Sequence, residues 1–349
     1  MRLPRVTPVP APRGYRGRVQ PAVDWDLAAR LAARAVRSGP AASRAERVEV
    51  VDALRDAAPV AAAHVAHVTR LGEPPAPEVR VVDRASWARA NVRSLRSLSD
   101  RVGVLPDRGL RGTAGAGQVA AVLGLLSGAV LGQYDPWSAP GTLLLVAPNV
   151  LGTERALGVD PADFRLWVTL HEQTHALQFA AAPWLVDHLA GQVAVLLEED
   201  PRDRVRADHP DHPDHPVRPR PRSLLDLLDP RQRVALDEVG AVMALLEGHA
   251  DVTMDAVGRT VVPSVRRIRR RFEARRSGAP GTGAMRKALR TVLGLDVKLA
   301  QYRDGAAFVR AVRRRVGTDG LNAVWSGPGA LPTAAEIAEP AAWVRRVHG

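Results

Sequence analysis

Between residues 159 and 183 the chain reads VDPADFRLWVTLHEQTHALQFAAAP, the stretch that most constrains its fold. Asp160 is a good N-cap, Pro161 suits the first helical position because its missing N–H has no partner there anyway, and Asp163 complements the positive end of the helix dipole. Pro183 disfavours helical geometry at Ala182, so the spacing predicts a helix that starts at Pro161 and stops there. Inside it lies His171-Glu172-Gln173-Thr174-His175, an H-E-x-x-H. The two histidines fall on one face about 6 Å apart along the axis, so both imidazoles can reach one ion. Glu172 then sits beside that ion, placed to take a proton from a water bound to it. Phe164, Trp167, Val168, Leu170, Leu177 and Phe179 make the helix strongly apolar, so the polar groups in its middle need partners. Histidines hydrogen-bonded within a core are the plain alternative; a metal ion is the simplest partner.

Composition narrows the choice of ligands. The chain has no cysteine, which excludes disulfides, thiolate metal sites and cysteine nucleophiles and leaves His, Asp and Glu as the strong ligands. At 349 residues it is long enough to bury a large core. The net charge of +12 comes almost wholly from arginine, since lysine occurs only at Lys287 and Lys298. We read that bias as compositional and expect no specific nucleic-acid partner; in particular, no base-stacking aromatics interleave with the arginines of VRRIRRRFEARR at 265–276, an amphipathic helix with a solvated basic face.

The third ligand is sought on PRQRVALDEVGAVMALLEGHADVTMDAV, a long helix by periodicity over 230–257. It carries Glu247 followed four residues on by Asp251. Where an H-E-x-x-H site takes a Glu as its third ligand, that Glu lies on a later helix, and the Asp one turn on accepts a hydrogen bond from the second ring nitrogen of a histidine ligand. Glu247 is the preferred ligand and Asp251 its supporting residue, with His249, which projects roughly opposite to Glu247, as a fallback ligand or substrate contact. Lys298 and Tyr302 are further candidates for substrate or oxyanion contact, the lysine because so few lysines are retained, the tyrosine for its hydroxyl.

Helices are expected from Asp24-Trp25-Asp26 through LAARLAARAV, from Ser43 with Glu46 closing a capping box through Ala58, over 84–98, over 184–197, over 284–293 and over 305–316. Residues 113–134 contain no charged residue; with no second such segment they read as a central buried helix whose small residues allow close packing, and no membrane span is expected. Gly141 to Asn149 is the best strand candidate. Residues 1–22 are expected to be a disordered Pro/Arg-rich tail without the apolar core of a secretory signal, so the expected location is cytoplasmic. Residues 199–222, with Asp-His-Pro three times over at 208–216, read as a mobile Pro/His/Arg loop in which no packing face fixes a coordination geometry.

HEQTHALQF and LLEGHADVTMD, together with VDWDLAARLA, LGQYDPW, LLLVAPN and LPTAAEIAEPAAWVRRV in that order, resemble a bacterial family of zincin-like metallopeptidases of unknown function. Its members are labelled coenzyme F-420 biosynthesis-associated proteins or hydrolases. The resemblance spans residues 23–347 and implies one mainly α, zincin-like domain, with an N-terminal helical part at 23–110, a metal-site part at 111–347 and at most a small sheet. The expected activity is zinc-dependent hydrolysis of a peptide or a small amide or ester, with Zn²⁺ on His171, His175 and Glu247 and with Glu172 as general base. The competing expectation is a non-catalytic, metal-stabilised scaffold or accessory protein, linked to coenzyme F-420 metabolism. Neither substrate nor oligomeric state is legible in the sequence.

Overall fold

The computed structural model describes residues 22–73, 76–104, 106–138, 140–198, 228–278 and 304–349. Tyr302, Lys298, the helix expected at 284–293 and the whole of the 199–222 segment lie outside the described residues, as do residues 1–21. The chain is mainly helical with one small sheet, as expected.

Helix α1 (Trp25–Ala35) is capped by Asp24, whose side chain accepts from Leu27 N, and α2 (Arg44–Thr69) by Ser43, which closes a capping box with Glu46. The second helix does not stop at Ala58 but runs on through Pro59, its buried stripe Leu54, Ala58, Ala61 and Val65 unbroken. Packing of that stripe offsets the one backbone bond the proline removes. Strand β1 (Glu78–Val82) leads into α3 (Arg84–Arg101), and α4 (Leu110–Leu126) into β2 (Gly132–Asp135), β3 (Thr142–Val146) and α5 (Ala147–Leu157). The uncharged 113–134 stretch is therefore two elements, not one. Its helix is also peripheral: Gly112, Ala116, Ala120 and Leu123 face inward, while Leu110 and Leu125 are exposed.

The sheet has the order β1-β3-β2, with β1 parallel and β2 antiparallel to β3. The middle strand is buried on both sides, which is why it reads as an unbroken apolar run. Because successive side chains point to opposite faces, Leu143 and Leu145 join one core cluster, with α2, α5 and α6 (Pro161–Ala181), while Leu144 and Val146 join another, with α1, α3 and α4. The flanking strands gave no such signal: EVRVV at β1 is half-exposed, and GQYD at β2 has only four residues.

A third cluster gathers α7 (Trp184–Leu196), α8 (Pro230–Val257), α10 (Asp304–Leu321) and the C-terminal segment with α11 (Ala334–Ala338) and α12 (Pro340–His348). Trp325, Leu331, Ile337 and Trp343 bury themselves there, so the C-terminal segment packs over the body. Helix α9 (Val265–Gly278) lays Val265 and Ile268 into the first cluster. Its Arg267 and Arg271 donate to the Gly158 carbonyl at the C-terminal end of α5, where cations are favoured, while Arg266 and Arg270 stay in solvent.

Helices α8 and α10 cross at glycines. A Cβ on Gly248 would fall inside the backbone of Gly305 and Ala306, and one on Gly305 would fall on the carbonyl of Ala244. Gly248→Ala is expected to lower the unfolding free energy by roughly 1–3 kcal/mol, since backbone cannot yield as a side-chain tip can. Its denaturation midpoint, compared with that of the wild type, checks this; an unchanged midpoint would mean the crossing is looser than described.

Candidate metal centre

Helix α6 forms where expected: Asp160 accepts from Asp163 N, Pro161 opens the helix and Ala182 leaves it with φ −128°. Fully buried Phe164 and Leu170 anchor it, each stabilising by about 1.5–3 kcal/mol relative to exposure. Several of its polar groups are paired across to neighbouring helices, while Trp167 Nε1 and Gln173 Oε1 are buried without a hydrogen-bond partner. Arg165 makes a two-pronged contact with Glu154 at 3.0 and 2.8 Å, both side chains being buried, and a third at 2.7 Å with the more exposed Glu49. Gln173 donates to the Ala58 carbonyl of α2. Thus the helix is fixed against α2 and α5 before its histidines are considered.

Helix α8 starts at a capping box of Asp229 and Gln232 and brings Glu247 to the same place. His171 Nε2 and His175 Nε2 lie 3.1 Å apart, and Glu247 oxygens lie 3.5 Å from the first and 3.6 Å from the second. A tetrahedral zinc ion with bonds of about 2.0–2.1 Å holds its ligand atoms about 3.3 Å from one another. The three donors are therefore spaced as that ion needs and are hard-to-borderline N and O atoms of the kind it takes. Among the described residues they form the one such cluster of three or more His, Asp or Glu. Glu247 keeps 43% side-chain exposure and His171 25%, so the cluster opens to solvent on one side.

The protonation states follow from this crowding. Burial works against the His171 cation, but the Glu247 carboxylate beside it, helped by Glu172 and Asp251, pushes its pKa up to about 9. Burial and the neighbouring His171 charge hold His175 below the ordinary histidine value. For Glu172 burial dominates; the Glu247 charge adds to it, and the carboxyl is pushed up to about 7 against the pull of His171 and of the Tyr134 N–H. That N–H reaches Glu172 because β2 runs alongside α6. A Cβ on Gly132 would come within 2.9 Å of Glu172 Cδ and Oε1, so only glycine lets the strand approach so closely. The strand is held from its other side by α3, where Trp87 Nε1 donates to Gln133 Oε1 and Gln133 Nε2 donates to Asn91 Oδ1.

The second ring nitrogens of the histidines meet partners that the sequence reading did not name. His171 Nδ1 lies 3.4 Å from Met254 Sδ, and His175 Nδ1 lies 2.9 Å from Gln178 Oε1. Asp251 stays within electrostatic reach of His171, while its carboxylate lies 3.7 Å from Arg269. His249 does not join the ligand cluster, as its helical phase relative to Glu247 requires: it is 3% exposed, its Nδ1 is 3.0 Å from Gln178 Nε2 and its ring packs edge-on to Trp325. Burial, then the His175 and Arg313 charges, push its pKa down to about 3. Gln178 was findable, since it follows His175 by three residues and so shares its helix face.

The zincin-like metallopeptidase family model matches residues 23–344. The chain belongs to that family. The match takes in α6, α8 and the three-stranded sheet of this zincin-like chain. A crystal structure of a candidate hydrolase with a novel fold from Chloroflexus aurantiacus is similar to it at 30% sequence identity, with a TM-score of 0.68 over 93% of this chain and 98% of that one. No curated protein matches. Among the described residues of this zincin-like chain no single helix is long and apolar enough to cross a membrane; α6 and α7 pass together by composition, but they are bent by 92° at the break between them.

Proposed function

We propose that this chain is a zinc-dependent hydrolase of peptides or small amides and esters, in which His171, His175 and Glu247 hold Zn²⁺ and Glu172 is the general base. The observation that carries the reading is the coexistence of three convergent donors with a fourth group, Glu172, that stands beside them with its own backbone partner. When bound, the ion supplies Lewis acidity toward a scissile carbonyl and acidifies a water molecule. Glu172 takes the proton of the attacking water and returns it to the leaving group. Its burial under Gly132 and Tyr134 fixes the carboxylate and keeps bulk water from competing for it.

Strand β2 is an outer strand of the sheet, and we place an extended substrate along its α6-facing edge, beyond the Tyr134 N–H that Glu172 uses. Val146 N donates to Leu131 O, so residues 131, 133 and 135 turn their peptide groups toward β3, and those of Gly132 and Tyr134 turn away from it, toward α6. A peptide laid along that edge meets backbone groups next to Glu172. The metal-stabilised scaffold is the weaker reading, because a purely structural zinc site takes four protein ligands, and three converge here among the described residues.

Metal analysis of the purified protein tests the ligand set. Wild type is expected to retain close to one zinc per chain through dialysis against a weak chelator, and Glu247→Ala to lose it. A wild type free of zinc, or a Glu247→Ala that holds it as firmly, would remove the basis of the proposal.

A further inference from the structure

We infer that Gln178, backed by His249, is a positioning residue that fixes the tautomer of His175 and so presents its Nε2 lone pair to the metal site. The inference rests on the zinc reading above but has a part that can be measured without metal.

Gln178 is completely buried, and all of its amide is used. Nε2 donates to the Leu246 carbonyl at 3.0 Å and faces His249 Nδ1 at 3.0 Å, while Oε1 faces His175 Nδ1 at 2.9 Å. One of these three contacts has a direction that cannot be reversed: a backbone carbonyl only accepts. The amide nitrogen must therefore be the end that points at Leu246, which leaves the oxygen pointing at His175. An oxygen there requires a proton on His175 Nδ1, and a neutral imidazole with that proton carries its lone pair on Nε2, the atom 3.1 Å from His171 Nε2 and 3.6 Å from Glu247. The second amide hydrogen needs an acceptor too, and His249 Nδ1 provides it as long as that nitrogen is unprotonated. The ring that carries it is buried against Trp325.

This gives His249 a use other than ligation. Leu246, His249 and Glu247 are consecutive or nearly so on α8, so the helix that delivers the third ligand also sets the amide that orients the second. The two halves of the site are coupled through one glutamine. His171 is oriented by a softer contact, the Met254 sulfur, so the two histidines are supported unequally.

The test uses the full-length chain labelled with ¹⁵N on histidine, as wild type, Gln178→Met, His249→Asn and His249→Leu. Imidazole ¹⁵N spectra of the metal-free protein report the tautomer, and competition with a chromogenic chelator reports zinc affinity. Wild-type His175 is expected to carry its proton on Nδ1. Gln178→Met, which keeps the volume but removes the amide, is expected to bind zinc about 10–100-fold more weakly. His249→Leu should weaken binding as well, whereas His249→Asn returns an acceptor near the Nδ1 position and should restore it. Wild-type affinity in Gln178→Met, with the His175 tautomer unchanged, would overturn the inference. If that variant fails to fold, the wild-type spectrum decides, because a proton on His175 Nε2 is incompatible with the amide direction. A wild type that takes up no zinc yet shows His175 protonated on Nδ1 defeats the zinc reading and leaves the orienting role of Gln178 standing.

Discussion

Glu172→Gln is expected to keep the zinc content of the wild type and to lose roughly 10²–10⁴-fold in kcat/KM on any substrate the wild type hydrolyses, the usual contribution of a positioned acid–base group. Gln is isosteric, so it still fits beneath Gly132 and can still meet the Tyr134 backbone. What it cannot do is accept a proton. The pH profile offers a second check. Glu172 must be ionised to act as base, so activity falls as pH drops through its pKa; burial holds that value at about 7 in the metal-free site, and a divalent charge nearby lowers it. The acid limb of the wild-type profile should therefore lie below pH 7 and vanish in Glu172→Gln. Equal turnover in the two proteins would assign the base to some other group.

The second large effect is on stability. Arg165→Met strands Glu154, a carboxylate 3% exposed whose ordinary partner is gone, and is expected to cost about 3–5 kcal/mol. Burial already pushes the Glu154 carboxyl up despite the arginine beside it, which is the mark of a group that depends on its partner. Removing both charges, as Arg165→Met with Glu154→Leu, should recover most of the loss, because no unpaired charge is then left inside. Urea denaturation of the four proteins in this cycle measures it. A single Arg165→Met as stable as the wild type would show that water reaches Glu154.

Much of the site was legible because its two helices announce themselves. Asp160-Pro161 and Asp229-Pro230 open α6 and α8, the capping and proline chemistry is local, and the ligand spacing depends only on helical geometry. Strand β3 was legible because burial on both faces leaves an unbroken apolar run. The residues that were not legible act through distance. Gly132 matters because Glu172 lies against it 40 positions later, and Gly248 because Gly305 lies against it; neither looks different from any other glycine in the sequence. Met254 lies seven residues after Glu247, on the same helix face, but a methionine on an apolar stripe gives no sign that its sulfur meets a ligand. In the uncharged 113–134 segment the absence of charge does not mark burial: small residues there serve a peripheral helix followed by a turn and a strand.

The partner that β2 gives Glu172 belongs to the main chain of residue 134 rather than to a side chain. Such a contact is nearly immune to point substitution, since every residue except proline supplies the same N–H. Its weakness is phase. A single inserted or deleted residue between the end of α4 and Gly132 that slid the strand by one place against β3 would turn the peptide groups of 132 and 134 inward and withdraw them from Glu172. This contact therefore depends on the length of the turn before β2, while the Tyr134 side chain serves packing against Phe179 instead.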